Sequence, residues 1–374
     1  MSGGLVSVHL ATTHRPSDPR IFQKECRTLA AAGVDVRYVV PCRADAEQDG
    51  VQILCVPPPR TGKERVTRTV RAVYRRAMAQ PKRAVYHVHD ADLLPAAFAL
   101  KAAGRRVVYD MHEDVPRQML HQHWIPAWAR PFAARAYGLV EAVGARVFDG
   151  LIAAEPKIAE RFPGRDVALV QNFPILDELL LDAATPYRER EHRVAYVGSI
   201  TAVRGLREVV QAVGALAARG PARLDLAGPF HPAAFQDELE QLPGWQHVDY
   251  RGWADRSDVA EMLGRARVGV VTLYPTQKYL DAYPTKLFEY MAAGLPVVCS
   301  DFPQLRPFVE GPGCGLLVDP QDPAAVADAI GWLLEHEAEA EAMGARGREA
   351  VEQRYRWASE AERLLAFYRR FDPA

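Results

Sequence analysis

Residues 274–301, YPTQKYLDAYPTKLFEYMAAGLPVVCSD, place lysines, carboxylates and a helix start within one short stretch. Pro284 suits the first helical position, where its missing N–H costs nothing. Leu287 and Met291 follow four apart on one face, and Gly294 with Pro296 gives a stop signal. PVVCS then reads as a strand buried on both faces. A helix start beside a loop offers free N–H groups and partial positive charge to an anion. Lys286 adds a full charge in the first turn, and Glu289 lies one turn on, toward the side of Thr285 and Lys286. A cation and N–H donors suit phosphate, and a carboxylate suits sugar hydroxyls. Together they fit a nucleoside diphosphate.

Three further stretches carry reactive side chains. In VAYVGSITAVRGLREVV, residues 194–210, a strand ends at Gly198, Ser199 enters a turn, and a helix begins near Arg204-Gly205. Arg204 can meet phosphate oxygens in pairs. YHVHDADLLPAAFALK and VVYDMHEDVPRQ place His87, His89 and His112 just inside or after apolar strands, with Asp90, Asp92, Glu113 and Asp114 alongside. A histidine there can donate to a hydroxyl or a diphosphate, or it can be a satisfied core residue. THRPSDPRIFQKECRTLAAAGVDVRYVV, residues 13–40, puts His14, Asp18 and Arg20 in a loop after the first strand, on the ligand-binding edge of such a sheet. An Arg20–Glu25 pair that merely packs a helix is the alternative reading.

These motifs resemble those of the retaining glycosyltransferases of family 4, which have the GT-B fold. The family pattern is Glu, seven residues, Glu, a small-residue turn and PVV. Glu289 falls on the second Glu, which holds the nucleotide ribose. Asp281 falls on the first, which contacts the transferred sugar, and is one methylene shorter. The resemblance makes Gly198, Ser199, Arg204, Tyr283, Pro284, Thr285, Lys286 and Glu289 the donor-binding set. The family commonly has Arg where Ser199 stands and Lys where Arg204 stands. HxHDxD…VYDxHE and HxxxDxRIFxKE resemble one branch of the family. His112 thereby takes a role beside the transferred sugar and leaving group, joining Arg204, Lys286 and Asp281 in the catalytic set. His14, Asp18, Arg20, His89, Asp90 and Glu113 become acceptor-side candidates. The implied reaction moves a sugar from a UDP- or GDP-type donor to a hydroxyl of a glycan, a lipid-linked molecule or a small molecule. It retains configuration and needs no cofactor and no metal. Asp90-x-Asp92 has the spacing of a metal-binding pair, but its place also fits a helix N-cap and first turn. A non-catalytic nucleotide- or glycan-binding partner and a GT-B nucleotide-sugar 2-epimerase are the competing readings.

The elements that must hold these residues alternate. Strands are expected at Leu5–Leu10, Val34–Val40, Gln52–Val56, Ala84–Val88, Arg106–Tyr109, Gly150–Ala153 and Val167–Val170, with helices near 19–32, 63–80, 92–103, 130–148 and 156–161. A polar stretch at 174–192 reads as a connection. The pattern restarts with HRVAYVG, ARLDLAG, HVDYRG, RVGVVTL, PVVCS and GLLVD, and helices near 205–219, 255–265, 285–293 and 323–334. Residues 337–371 read as helical. Alternation of this kind implies an α/β fold of two doubly wound parallel sheets. In GT-B form these are two Rossmann-like domains facing across a cleft. The domains expected are 1–182 on the acceptor side, 183–355 for the donor, and 356–374 as a helix crossing back.

A chain of 374 residues fits two domains, and 49% hydrophobic content supports large cores. A formal charge of −1 gives no field for nucleic acid. Five cysteines, an odd number without a pairing pattern, point to a reducing compartment. No signal peptide or membrane-spanning run is evident, so a cytoplasmic location is expected, with the inner face of the membrane as a candidate site of action. Two stretches motivate that candidate: the basic amphipathic segment 63–83, and HQHWIPAWARPF with Trp124, Trp128 and Phe132 near arginines. A helix packed on the sheet is the favoured reading of the basic segment, and the Trp–Arg stretch suits a lid over the cleft equally well. GPGCG at 311–315 lacks the spacing of a nicotinamide site, and no zinc-protease, serine-hydrolase or Walker motif is present.

Overall fold

In the computed structural model of the chain, residues 4–122, 125–178, 185–281 and 283–372 are described, the side chains of Lys278 and Asp281 excepted. They form two compact units, one of residues up to Asn172 together with those from Ala358 onward, the other Phe173–Trp357.

The first unit holds an eight-stranded sheet of β1 (Val6–Leu10), β2 (Asp35–Pro41), β3 (Ala46–Gln48), β4 (Val51–Val56), β5 (Val85–Val88), β6 (Arg106–Met111), β7 (Gly150–Ala153) and β8 (Val167–Leu169). Its order is β3-β4-β2-β1-β5-β6-β7-β8, parallel except at β3. The central strands are continuous apolar runs because helices cover both faces; β5 is buried at every residue. β3 escapes the alternation pattern because its three residues are exposed. Asp49-Gly50, both at positive φ, close the two-residue hairpin into β4.

One expectation changes here, and one open choice is settled. β2 and β4 pair so that Val40 faces Cys55, which brings Cys42 beside Cys55 as a disulfide with Cα atoms 5.0 Å apart. Sheet register makes this pairing, and no local spacing announces it. It removes the ground for inferring a reducing compartment; Cys26, Cys299 and Cys314 are free and buried. The basic segment lies in a helical run from Gly62 to Met78 that turns Val73 and Ala77 into the core, so it packs on the sheet.

The second unit has β9 (Arg193–Val197), β10 (Arg223–Ala227), β11 (Val248–Tyr250), β12 (Val268–Val271), β13 (Val297–Ser300) and β14 (Gly315–Val318). The order β11-β10-β9-β12-β13-β14 is all parallel and reverses direction beside β9, the topological switch point where doubly wound folds bind ligands. Residues 337–371 form two main helices, Glu337–Gln353 and Trp357–Tyr368, interrupted at Arg354–Arg356. The latter packs on the first sheet, where the Tyr368 hydroxyl lies 2.9 Å from Ser7 Oγ. Among the described residues, no helix is long and apolar enough to cross a membrane.

Gly205 closes the turn after β9 at φ 69° and precedes the helix Leu206–Ala217. A Cβ there would strike the carbonyl and side chain of Thr272 at the end of β12. Gly205→Ala is expected to cost about 2 kcal/mol or more through overpacking and a left-handed backbone. Thermal unfolding of the variant checks this, and an unchanged midpoint would refute the contact.

Candidate functional site

In the second unit, Tyr290 sets the geometry. Its hydroxyl accepts a hydrogen bond from the Val197 N–H at 2.9 Å, which pins the helix Thr285–Ala292 against the end of β9. Lys286, one turn earlier, is thereby carried to Gly198. A Cβ on Gly198 would lie 3.6 Å from Lys286 Nζ and 3.4 Å from Arg204 Nη1, so two cations face one side-chain-free residue. Gly198 and Arg204 thus converge with Lys286, which is far downstream in sequence.

Among the described residues the buried Lys286 ammonium has no hydrogen-bond partner, and the Tyr196 ring lies against it, 3.5 Å from centroid to Nζ. Burial, then Arg204, push its pKa well below the ordinary lysine value. Arg204 is steadied by Nε donating to the Tyr279 hydroxyl at 3.1 Å and by its carbonyl accepting from Thr272 Oγ1 at 3.2 Å. The Ser199 carbonyl accepts from the Tyr196 hydroxyl at 2.8 Å, which fixes the turn after Gly198. A cation left without an anion in a dry niche is an anion site in physical terms.

The helix start differs by one residue from its expected place. Pro284 is the N-cap, and Thr285 takes the first helical position. Tyr283 packs edge-on against Phe308, centroids 4.9 Å apart, and Thr285 is exposed. Glu289 does not pair with Lys286. Its Oε1 accepts from Arg256 Nη1 at 2.8 Å, and Arg256 Nε reaches Glu178 at 3.2 Å. Asp281 ends the short helix Gln277–Asp281, and its side chain lies outside the described residues.

The first unit gathers the other candidates where β1, β5 and β6 end. His9 faces His87 across β1 and β5, and Asp110 lies on β6. His112 Nε2 lies 2.9 Å from Asp110 Oδ2 and 3.2 Å from His89 Nδ1, and its side chain is 17% exposed. His89 is buried, which lowers its pKa to about 4 despite Asp110. In the loop, His14 Nδ1 bonds Asp18 Oδ2 at 2.7 Å, and Nε2 faces Asp90 Oδ1 at 3.4 Å. Burial opposes a charge on His14, but these carboxylates raise its pKa to about 10, and Asp18 falls to about 2. Asp18 Oδ1 also accepts from the Arg20 and Ile21 N–H groups. Glu113 is exposed and accepts from Gln118 at 2.7 Å.

Two of these residues depart from the sequence reading. Arg20 is buried, with Nη1 on the Val170 carbonyl, Nη2 on Asp110 and Nε 3.0 Å from Glu25, so it braces the core and does not reach out to an acceptor. Asp90 sits at an N-cap position but turns its carboxylate back to the Thr12 and Thr13 N–H groups and the Thr13 hydroxyl. Asp92 is bound by Thr12 and Arg65. The pair is thus committed to protein donors.

Sequence reasoning missed Arg256, which orients Glu289, and the tyrosines at 196, 279 and 290 that shape the cation niche. Arg256 lies inside a capping box, between Asp255 and Asp258, and looks like an ordinary first-turn residue; only the chain crossing brings it to Glu289.

Residues 20–171 match the family described as glycosyl transferase 4-like domain, and residues 191–336 match the one described as glycosyl transferases group 1. The chain is 29% identical over 225 residues to D-inositol 3-phosphate glycosyltransferase of Corynebacterium efficiens, covering 58% of this chain and 51% of that protein. It is 40% identical over 86 residues to the GDP-mannose-dependent alpha-(1-6)-phosphatidylinositol monomannoside mannosyltransferase of Mycobacterium tuberculosis, covering 23% of this chain and 22% of that one. The chain thus spans about half, or less, of the length of these relatives. Sucrose-phosphate synthase from Thermosynechococcus elongatus has a similar fold, with TM-score 0.80, 19% identity and 98% of each chain covered. So does Anabaena HepE in complex with UDP and glucose, with TM-score 0.71, 14% identity, and 98% of this chain and 100% of that one covered. With both halves matched in order, a Rossmann-like sheet in each unit and GT-B structures alike over nearly the whole chain, this protein belongs to the group 1 glycosyltransferases of GT-B fold, with a glycosyltransferase 4-like N-terminal domain.

Proposed function

We propose that the protein transfers a sugar from a nucleoside-diphosphate donor to a hydroxyl acceptor with retention at the anomeric carbon. The observation that carries this is the pair Lys286 and Arg204 facing Gly198, a buried positive niche at the switch point of the second sheet. The diphosphate would sit against these cations and the N–H groups that open the helix Thr285–Ala292. Glu289, held by Arg256, would accept from the ribose hydroxyls, and Asp281 would meet the sugar. As the bond from the anomeric carbon to the leaving phosphate oxygen breaks, negative charge grows on the diphosphate, and the fixed cations stabilise it. The acceptor oxygen attacks from the same face, and its proton passes to the leaving phosphate oxygen. No protein nucleophile is needed. Two cations and a helix dipole supply the neutralisation that a metal would otherwise give at the diphosphate. UDP- and GDP-type donors both remain in scope, and a cosubstrate in place of a resident cofactor fits the niche.

A membrane-bound acceptor is part of this reading. The helix Arg130–Val147 exposes Phe132, Leu139, Val143 and Val147 along one side, with Trp128 exposed just before it and Arg135 and Arg146 exposed among them. That combination suits an anionic lipid surface. Trp124 lies outside the described residues. Sedimentation with anionic vesicles should pellet the protein at low salt, and Leu139→Asp should abolish pelleting; equal pelleting of the two would refute the assignment of this face.

Thermal unfolding with UDP, GDP, ADP, dTDP and their sugar conjugates is expected to show stabilisation by one nucleotide family. At about 100 times the dissociation constant the gain is roughly 2.7 kcal/mol. No shift with any nucleotide would overturn the donor site. Arg204→Ala and Lys286→Ala should each lower turnover by about 10²–10³ with the fold intact. Gly198→Ala should weaken nucleotide binding as well, because its methyl enters the space between the two cations; unchanged affinity would break the niche assignment.

The depressed pKa of Lys286 gives a sign for pH dependence. A bound diphosphate favours the ammonium and raises that pKa, so binding takes up a proton between the free and bound values. Affinity is therefore flat at low pH and falls as pH rises through the free-protein pKa, below the ordinary lysine range. Lys286→Arg should flatten this profile. Nucleotide titrations across pH check it, and a profile that persists in the arginine variant would assign the effect elsewhere.

A further inference from the structure

The loop between β12 and the helix Thr285–Ala292 bears Tyr279, which steadies Arg204, and ends its own short helix at Asp281. That helix, Gln277–Asp281, has five residues, too few to hold itself in water. The order of the loop must therefore come from contacts outside it.

Two tyrosines make those contacts. The Tyr279 carbonyl accepts from Gln304 Nε2 at 2.9 Å, and its hydroxyl accepts from Arg204 Nε at 3.1 Å. Tyr274, at the start of the loop, grips the segment after β9 twice. Its N–H donates to the Val203 carbonyl at 2.9 Å, and its hydroxyl donates to Glu208 Oε1 at 2.7 Å. Two residues on, the Thr276 carbonyl accepts from the N–H groups of Tyr279 and Leu280, both at 2.9 Å, and so starts the short helix. Arg204 is thus bracketed. Tyr274 holds the carbonyl of the residue before it, Thr272 Oγ1 holds its own carbonyl at 3.2 Å, and Tyr279 holds its guanidinium.

Glu208 is an unusual partner for this task. It lies in the first turn of the helix Leu206–Ala217, where a carboxylate facing water is favoured, yet it is turned inward and buried. Among the described residues its Oε2 has no hydrogen-bond partner, and Arg207 beside it donates to Glu238. A buried carboxylate with one oxygen unsatisfied lowers stability relative to a packed apolar side chain. Its return is the bond to Tyr274, from a phenol to a charged acceptor, which is the strong kind. Burial, then Glu208, push the Tyr274 hydroxyl pKa up to about 12, so the phenol remains a donor at neutral pH.

We propose that Glu208 and Tyr274 are positioning residues for the donor site: their hydrogen bond latches the loop 274–281 onto the segment after β9 and so sets where Arg204 presents its guanidinium. This role rests on the donor site proposed above, and neither residue is given a contact with the diphosphate.

Titration with UDP, GDP, ADP and dTDP, and amide hydrogen exchange of the free protein, test the latch in the full chain. Tyr274→Phe removes one hydroxyl and should weaken binding of the nucleotide that the parent takes up by about tenfold, the size of one hydrogen bond to a charged group. Glu208→Leu should do the same. Glu208→Gln keeps an acceptor for the phenol and should bind within about twofold of the parent. Because the latch works through Arg204, adding Tyr274→Phe to Arg204→Ala should cost no further affinity, whereas a residue that only supports the fold would add its own loss. In free Tyr274→Phe the amides of Tyr279 and Leu280 should exchange faster, while those of β9 and β12 keep their parental rates. Where Glu208→Leu fails to fold, Tyr274→Phe and Glu208→Gln carry the comparison. Parental affinity in Tyr274→Phe, a further loss on top of Arg204→Ala, or unchanged exchange at Tyr279 and Leu280 would each overturn the latch. A parent that binds none of the nucleotides would overturn the donor site and this role with it, and the exchange rates would still show whether the loop is latched.

Discussion

The second unit is organised around an ammonium that the protein buries and does not pair. An isolated buried charge is costly, and the ordinary relief is to lose the proton or acquire a partner. Among the described residues, neither a carboxylate nor a backbone carbonyl lies within hydrogen-bond reach of Lys286 Nζ. The Tyr196 ring gives partial compensation from its face, and Arg204 adds a second positive charge nearby. The arrangement holds because its neighbours are rigid. Tyr290 ties the helix to β9, Gly205 lets the next helix approach Thr272, and Tyr279 holds the guanidinium. An anion entering this niche meets charges already desolvated and already oriented, so little reorganisation opposes the interaction.

Gly198 shows how sequence and geometry divide that work. A glycine after a strand is visible in the sequence, and so are Arg204 six residues on and Lys286 far downstream. That their charged ends meet over the one position with no side chain depends on the turn's φ of 122° and on the Tyr290 hydrogen bond. The apolar runs β5, β9, β12 and β13 were readable because strands covered on both faces have little alternative to burial. Short polar elements were not. β3 has no buried residue to mark it, although Asp49-Gly50 carried its hairpin signal. Cys42 and Cys55 are joined by strand register, Arg256 meets Glu289 through a chain crossing, and Arg20 changes from contact residue to core brace because Asp110 and Glu25 surround it. In each case the decisive partner is remote in sequence, so periodicity and local motif say nothing about it.

The two units also differ in the sign of the charge they leave uncompensated. In the second unit the cations of the niche exceed the anions. At the strand ends of the first unit the reverse holds: Arg20 is shared between Glu25 and Asp110, the buried histidines are kept neutral, and His14 is committed to Asp18 and Asp90. A diphosphate is therefore attracted to one and repelled by the other. What the first unit can offer is hydrogen bonding to neutral hydroxyls, through His112 at its edge and the polar loop that follows β1. The proposed assignment of donor to the second unit and acceptor to the first rests on this electrostatic contrast. It makes His112 a residue whose influence depends on Asp110 and His89 behind it, since they fix where its Nε2 lies and which proton it carries.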